Sequence, residues 1–139
     1  MSNPDIQKSI SIKTSSEEVF KAISDEKELQ KWWVDVPRLE QKVGGSLEFK
    51  FLKENSEMLQ KDYVVKGKIL EIIPNKKLVY TWNPVDEPEL AGSVVTWSLQ
   101  EDSNQTKVTV IHSGLDNCKS YHLLVEGWSY FISRLGNLF

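Results

Sequence analysis

Two histidines are the side chains of this 139-residue chain best suited to acid–base chemistry. His112 ends a predicted strand on the same side as Val108 and Val110, which should face the core. A histidine at a cavity wall could transfer a proton or bind a ligand. The sequence places no second titratable group beside it, so the pattern favours a structural histidine bonded to a backbone carbonyl or a buried hydroxyl.

Cys118 and His122 lie four residues apart on a predicted helix, a spacing that suits a shared metal or a thiol with its base. The chain has one other histidine and no other cysteine, so nothing supplies the remaining ligands. The sequence therefore predicts a semi-buried thiol beside a surface histidine. It predicts no metal site and no cofactor.

Glu71 lies within an apolar run and could be a cavity carboxylate with a raised pKa. Burying a lone carboxylate is expensive, so the alternative is a solvated side chain. A bulge near Gly67 would turn Leu70 and Ile72 inward and Glu71 outward. We expect the outward orientation.

Aromatic side chains are the strongest functional signal, since five tryptophans stand among fourteen aromatic residues. Tyrosine and tryptophan combine a large apolar ring with a polar tip that needs a partner when buried. These rings either pack as a dry core or line a ligand cavity, and both interpretations stay open. The residues predicted to line such a cavity are Trp32, Trp33, Phe49, Phe51, Tyr63, Trp82, Trp97, Val110, His112, Tyr121, Val125, Trp128 and Ile132.

Alternating apolar residues predict the strands that position these side chains. Ile6, Ile10 and Ile12 share one parity in the first strand, and later segments repeat the two-residue period. Prolines, glycines and acidic residues between the segments predict loops. The six predicted strands cover residues 6–12, 47–51, 63–73, 78–82, 95–99 and 108–112.

Three helices are predicted around these strands. Overlapping capping boxes at residues 14–18 begin the first helix. Ser24 or Asp25 caps a second, short helix, which Pro37 ends. Residues 117–139 carry apolar side chains at three- and four-residue spacing, which predicts a long helix with one buried face. The order β-α-α-β-β-β-β-β-α indicates an α+β fold, an antiparallel sheet covered by the last helix, in a single domain over residues 1–139.

Composition excludes several classes of protein. A hydrophobic fraction of 40% with 27% charged residues excludes intrinsic disorder. The net charge of −3 includes no basic block, so we expect no nucleic-acid partner. The apolar runs are too short to cross a membrane, and no signal peptide is recognisable at the start. A single cysteine favours a reducing, cytoplasmic location.

The order and spacing of these elements resemble the Hsp90-ATPase-activator-like branch of the START/Bet v 1 superfamily. The resemblance implies a helix-grip fold, in which a curved sheet wraps the last helix and encloses a cavity. The motifs that carry it are Trp32-Trp33, Val43-Gly44-Gly45, residues 67–74, 78–82 and 106–115, and Gly127-Trp128.

Three functions fit this resemblance, since fold alone does not fix function. The favoured function is a small-molecule-binding protein that holds an apolar, aromatic or lipid-like ligand between the sheet and the last helix. The alternative is a protein-interaction domain like the C-terminal domain of the Hsp90 co-chaperone. A cyclase- or hydrolase-like enzyme is favoured least, because no triad, carboxylate pair or nucleotide motif appears. We expect a monomer or a weak dimer.

Overall fold

The computed structural model describes residues 3–56 and 59–139, and it contains an antiparallel sheet and three α-helices. Glu57 and Met58, in the predicted loop between the strands at residues 47–51 and 63–73, lie outside the described residues. The strands are β1 (Ile6–Ile12), β2 (Val36–Leu39), β3 (Ser46–Phe51), β4 (Tyr63–Ile73), β5 (Lys77–Pro84), β6 (Ser93–Asp102) and β7 (Gln105–Ser113). The helices are α1 (Ser16–Ser24), α2 (Glu26–Trp32) and α3 (Tyr121–Asn137), with single 3₁₀ turns at Lys53–Asn55 and Pro88–Leu90.

The strands form one curved sheet in the order β1-β7-β6-β5-β4-β3-β2. Alternate residues of β6 and β7 are buried, which is the period-two pattern read from the sequence. α3 lies across the buried face and contributes Trp128, Ile132 and Leu135 to the core. The predicted α+β helix-grip fold is confirmed.

The sheet has one more strand than the sequence predicted. β2 pairs with β3 at the edge of the sheet, where Pro37 lies opposite Phe49. Proline lacks a backbone N–H. It is tolerated in an edge strand because the outer side of that strand pairs with no neighbour and needs no N–H donor. The strand is only four residues long and contains this proline, so its alternation gave no recognisable signal.

Both early helices begin at predicted caps. The Ser15 hydroxyl accepts a hydrogen bond from the backbone N–H of Glu18, at 3.3 Å. The Asp25 carboxylate accepts one from the backbone N–H of Glu28, at 3.0 Å. Each cap satisfies a donor that the first helical turn would otherwise leave free.

The last helix begins later than predicted. α3 starts at Tyr121, and Cys118 lies in the turn before it. Near its other end the helix passes close to β1, because a Cβ added at Gly136 would lie 2.5 Å from Cδ1 of Ile10. Glycine here allows the end of α3 to approach the sheet closely.

The bulge in β4 lies slightly later than predicted. The register with β5 shifts between Ile69 and Glu71, and not at Gly67. Ile69 is therefore buried, while Leu70 is exposed on the outer face, contrary to the prediction that it turns inward.

Among the described residues, no helix is long and apolar enough to span a membrane.

Candidate ligand-binding site

The site is a cluster of aromatic rings between the sheet and α3, which we call the ring cluster. Trp33 lies at its centre, with its ring centroid within 6.1 Å of seven other rings. These belong to α2, to the buried face of the sheet and to α3. The seven are Trp32, Phe49, Phe51, Trp82, Trp97, Trp128 and Phe131.

The end of α2 places Trp33 in this position. Trp32 is the last helical residue, and its indole N–H donates to the backbone carbonyl of Ala22 on α1 at 2.9 Å. Trp33 follows with φ −130° and ψ −63°, and its backbone N–H donates to the carbonyl of Leu29. Because the chain leaves the helix at this residue, the two neighbouring indoles stack 5.3 Å apart and both point inward.

The open cavity predicted between the sheet and α3 is not confirmed. The indole of Trp33 fills the space between Trp82 and Trp128. Two hollows among the described residues lie elsewhere and are open to solvent. One, of about 340 Å³, lies between β1 and the end of α3, and the other, of about 360 Å³, lies beside Leu99 and Thr109.

Two of the five buried indoles leave their N–H groups without a partner. Trp97 donates to the Tyr80 hydroxyl at 2.9 Å, and Trp128 donates to Nδ1 of His112 at 3.1 Å. The N–H groups of Trp33 and Trp82 bond to no atom of the described residues, and we call them the unsatisfied donors. A buried donor without an acceptor costs about 1–3 kcal/mol, so these two groups need an explanation.

His112 is held in one tautomer by a chain of hydrogen bonds. The Ser93 hydroxyl donates to the carbonyl of Trp82, so it accepts from Nε2–H of His112, at 3.0 Å. Nδ1 therefore carries no proton and accepts from the Trp128 indole. Burial lowers the pKa of His112 to about 4. Both ring nitrogens are engaged in the neutral form, which makes this histidine structural.

A polar group closes the cluster near the start of α3. The Tyr63 hydroxyl donates to one oxygen of Glu87 at 2.7 Å, and the Ser120 hydroxyl donates to the other at 3.1 Å. Burial, and then the hydrogen bond to Glu87, raise the pKa of Tyr63, while the nearby Trp82 indole opposes the rise. Glu87 thus ties the loop after β5 to β4 and to α3.

Most of the candidate residues meet in the ring cluster or beside it, and three lie at its margin. Tyr63, Tyr121 and Val125 are only partly buried. The buried candidates are Trp32, Trp33, Phe49, Phe51, Trp82, Trp97, Val110, His112, Trp128 and Ile132.

Sequence reasoning left three contributors to this region off the list of candidates. Helical spacing assigns Phe131 to the buried face of the predicted last helix, three residues after Trp128, but it was not among the predicted cavity residues. Tyr80 shares the parity of Trp82 and is fully buried, with burial raising the pKa of its phenol. Ser93 follows a loop and gave no signal of its role beside His112.

The Cys118 and His122 pair does not assemble as a helical spacing would require. Cys118 is buried in the turn before α3, where burial raises the pKa of its thiol, and His122 is exposed on the helix. Within residues 3–56 and 59–139, no three potential metal ligands lie together. Glu71 is solvated as predicted, and its carboxylate lies 3.3 Å from Nζ of Lys77.

Known proteins share this architecture across nearly the whole chain. The Aha1 dimer from Colwellia psychrerythraea is 23% identical and has a TM-score of 0.79, over 97% of this chain and 95% of that one. PFC0360w, an HSP90 activator from Plasmodium falciparum, is 20% identical with a TM-score of 0.77, over 98% and 96% of the two chains. Protein CV1439 from Chromobacterium violaceum is 21% identical with a TM-score of 0.83, over 96% and 95%.

Sequence comparison assigns the family. No curated protein matches the chain in sequence. The family model described as Activator of Hsp90 ATPase homolog 1-like protein matches residues 13–139. With the motifs and the fold in agreement, the chain belongs to the Activator of Hsp90 ATPase homolog 1-like family.

Proposed function

We propose that this chain binds a small, uncharged, largely aromatic molecule in the ring cluster between the sheet and α3. The observation that carries the proposal is the pair of unsatisfied donors, from Trp33 and Trp82, inside the ring cluster. A dry structural core leaves two such donors unexplained, whereas a ligand with an acceptor atom would satisfy at least one of them. We include a cytoplasmic location and a monomeric or weakly dimeric state in this proposal.

The surroundings of the cluster define what it would accept. Its rings favour flat molecules, which stack on them or meet their edges. Lys31 is 57% exposed and pairs with Glu28 at the surface of α2, so it does not offer a charge to the interior. A phosphate or a sugar would lose hydration there without recovering its hydrogen bonds. An uncharged aromatic ligand loses little favourable hydration when it is buried there.

A titration with 2-naphthol, an uncharged two-ring compound, tests this function. It should quench tryptophan fluorescence saturably with micromolar affinity, about −8 kcal/mol, and raise the melting temperature. The indole signals of Trp97 and Trp128 should shift in ¹⁵N spectra. Tyr130→Ala, which removes an exposed ring from the outer face of α3, is the control and should bind equally well.

One observation favours a protein partner as a second candidate. Leu123 and Tyr130 are 49% and 59% exposed on the outer face of α3, where Arg134 lies over the Tyr130 ring. One structural relative is an Hsp90 activator, so Hsp90 is the partner to add in the same experiment. If the ¹⁵N signals of this outer face shift with Hsp90 and those of the ring cluster do not shift with 2-naphthol, the protein-partner function becomes the favoured one.

A further inference from the structure

Trp33 fills the place where a guest in the ring cluster would make most contacts. Its indole is nearly parallel to that of Trp82, with the centroids 5.8 Å apart and the planes inclined by 8°. Rings of Phe49 and Trp97 meet it edge-on, and Phe131 lies against it from α3. These contacts on all sides are the ones expected around a bound aromatic ligand.

The backbone restrains Trp33 less than the other rings of the cluster. Phe49, Trp82 and Trp97 lie on paired strands, and Trp128 lies in the middle of α3. Trp33 follows the last residue of α2 in neither helical nor extended geometry, and its own N–H makes only the hydrogen bond that ends the helix. Its ring can leave without breaking a sheet ladder.

Leaving the interior would also relieve an unfavourable burial. Trp33 is 5% exposed, and its N–H is one of the unsatisfied donors. In water this donor would recover a hydrogen bond, which offsets part of the apolar burial lost on opening. Departure of the ring would uncover the neighbouring Trp82 indole, whose N–H is the other unsatisfied donor.

We propose that Trp33 is an internal substitute for the ligand. A flat aromatic molecule of one or two rings displaces the Trp33 indole, and a hydrogen-bond acceptor on that molecule pairs with the N–H of Trp82. This proposal rests on the proposed function and specifies its ligand class: uncharged aromatics that carry an acceptor such as a ring nitrogen or a carbonyl oxygen. It also makes Trp33 the residue that opens the site.

Quinoline and naphthalene are the probes, because they share one shape and only quinoline has an acceptor. The wild type should bind both, and saturating quinoline should bring the Trp33 indole N–H into exchange with solvent in ¹⁵N spectra. Trp33→Leu should bind both probes at least about tenfold more tightly, because no affinity is spent on displacing the indole. Tyr130→Ala should match the wild type.

Trp82→Phe tests the acceptor. It should weaken quinoline about five- to tenfold, the loss expected for one hydrogen bond, and change naphthalene by less than about twofold. Equal changes for both probes would show that no acceptor is recognised and would overturn that part of the proposal. Where Trp33→Leu does not fold, solvent exchange of the Trp33 indole in the wild type decides the question alone.

The remaining outcomes separate this inference from the function beneath it. Saturable binding with the Trp33 indole still protected, and no gain in Trp33→Leu, would leave the proposed function standing and overturn the displacement of Trp33. Binding by Trp33→Leu but not by the wild type would make Trp33 a permanent part of the core and overturn the inference. If neither the wild type nor Trp33→Leu binds quinoline or naphthalene, both the displacement of Trp33 and the proposed function are overturned.

Discussion

His112 is a buried base whose neutral state the fold requires. Its pKa is about 4 in the folded chain, against 6.5 for a free histidine. Between these values the unfolded chain binds a proton that the folded chain does not, so stability falls as the pH drops from about 6.5 to 4. The full loss in the free energy of unfolding is about 3 kcal/mol, and above pH 6.5 the stabilising contribution of neutral His112 is intact.

Chemical denaturation at a series of pH values measures this loss. His112→Gln should flatten the slope of unfolding free energy between pH 6.5 and 4 relative to the wild type. The exposed His122 provides the matched control, and His122→Gln should keep the wild-type slope. Parallel curves for all three proteins would contradict the hydrogen-bonded, neutral His112 described above.

The indoles of Trp128 and Trp33 differ in what their removal leaves behind. Trp128→Phe takes away the donor to Nδ1 of the buried His112 and leaves an acceptor unpaired. Trp33→Phe leaves nothing unpaired, because its N–H is already an unsatisfied donor. Since both changes remove a similar volume, Trp128→Phe should cost about 1–3 kcal/mol more in urea unfolding. Equal losses would mean that the bond from Trp128 to His112 contributes nothing.

Gly67 allows β4 to lie unusually close to β5. A Cβ at this position would collide with the backbone oxygen of Thr81, which cannot move without separating the strands. Gly67→Ala should therefore cost about 3 kcal/mol or more. Gly127→Ala on α3 is the control, because its nearest contact would be the Phe131 ring at 3.9 Å, and it should gain up to about 1 kcal/mol. A thermal melt that ranks the two variants equally would contradict this assignment.

Elements with a strong local signal could be predicted from the sequence, and those set by their neighbours could not. The caps at Ser15 and Asp25 follow from side chains that bond their own first turn. β2 exists because β3 offers it an edge, and a proline hides its period. The late start of α3 depends on contacts around Ser120, including its bond to Glu87, that no helical spacing reveals.

At the scale of the molecule, the sequence predicted which rings face inward but not how they fill the interior. Parity assigns Phe49, Trp82 and Trp97 to one face of the sheet, and the structure agrees. The entry of Trp33 into the centre depends on how the chain leaves α2, which no periodicity encodes. An open cavity and a filled one therefore have the same sequence pattern, and measured binding has to separate them.

The pairing of β1 with β7 has a consequence for how the chain is made. Ile6 lies opposite His112, about a hundred residues later in the chain. A ribosome adds roughly 5–20 residues per second, so β1 waits on the order of 5–20 seconds for its partner strand. During that interval Ile6 and Ile12, both buried in the final fold, stay uncovered on the nascent chain. Strands β3 to β7 join neighbours in sequence and can form first, so β1 completes the sheet only after most of the protein has been synthesised.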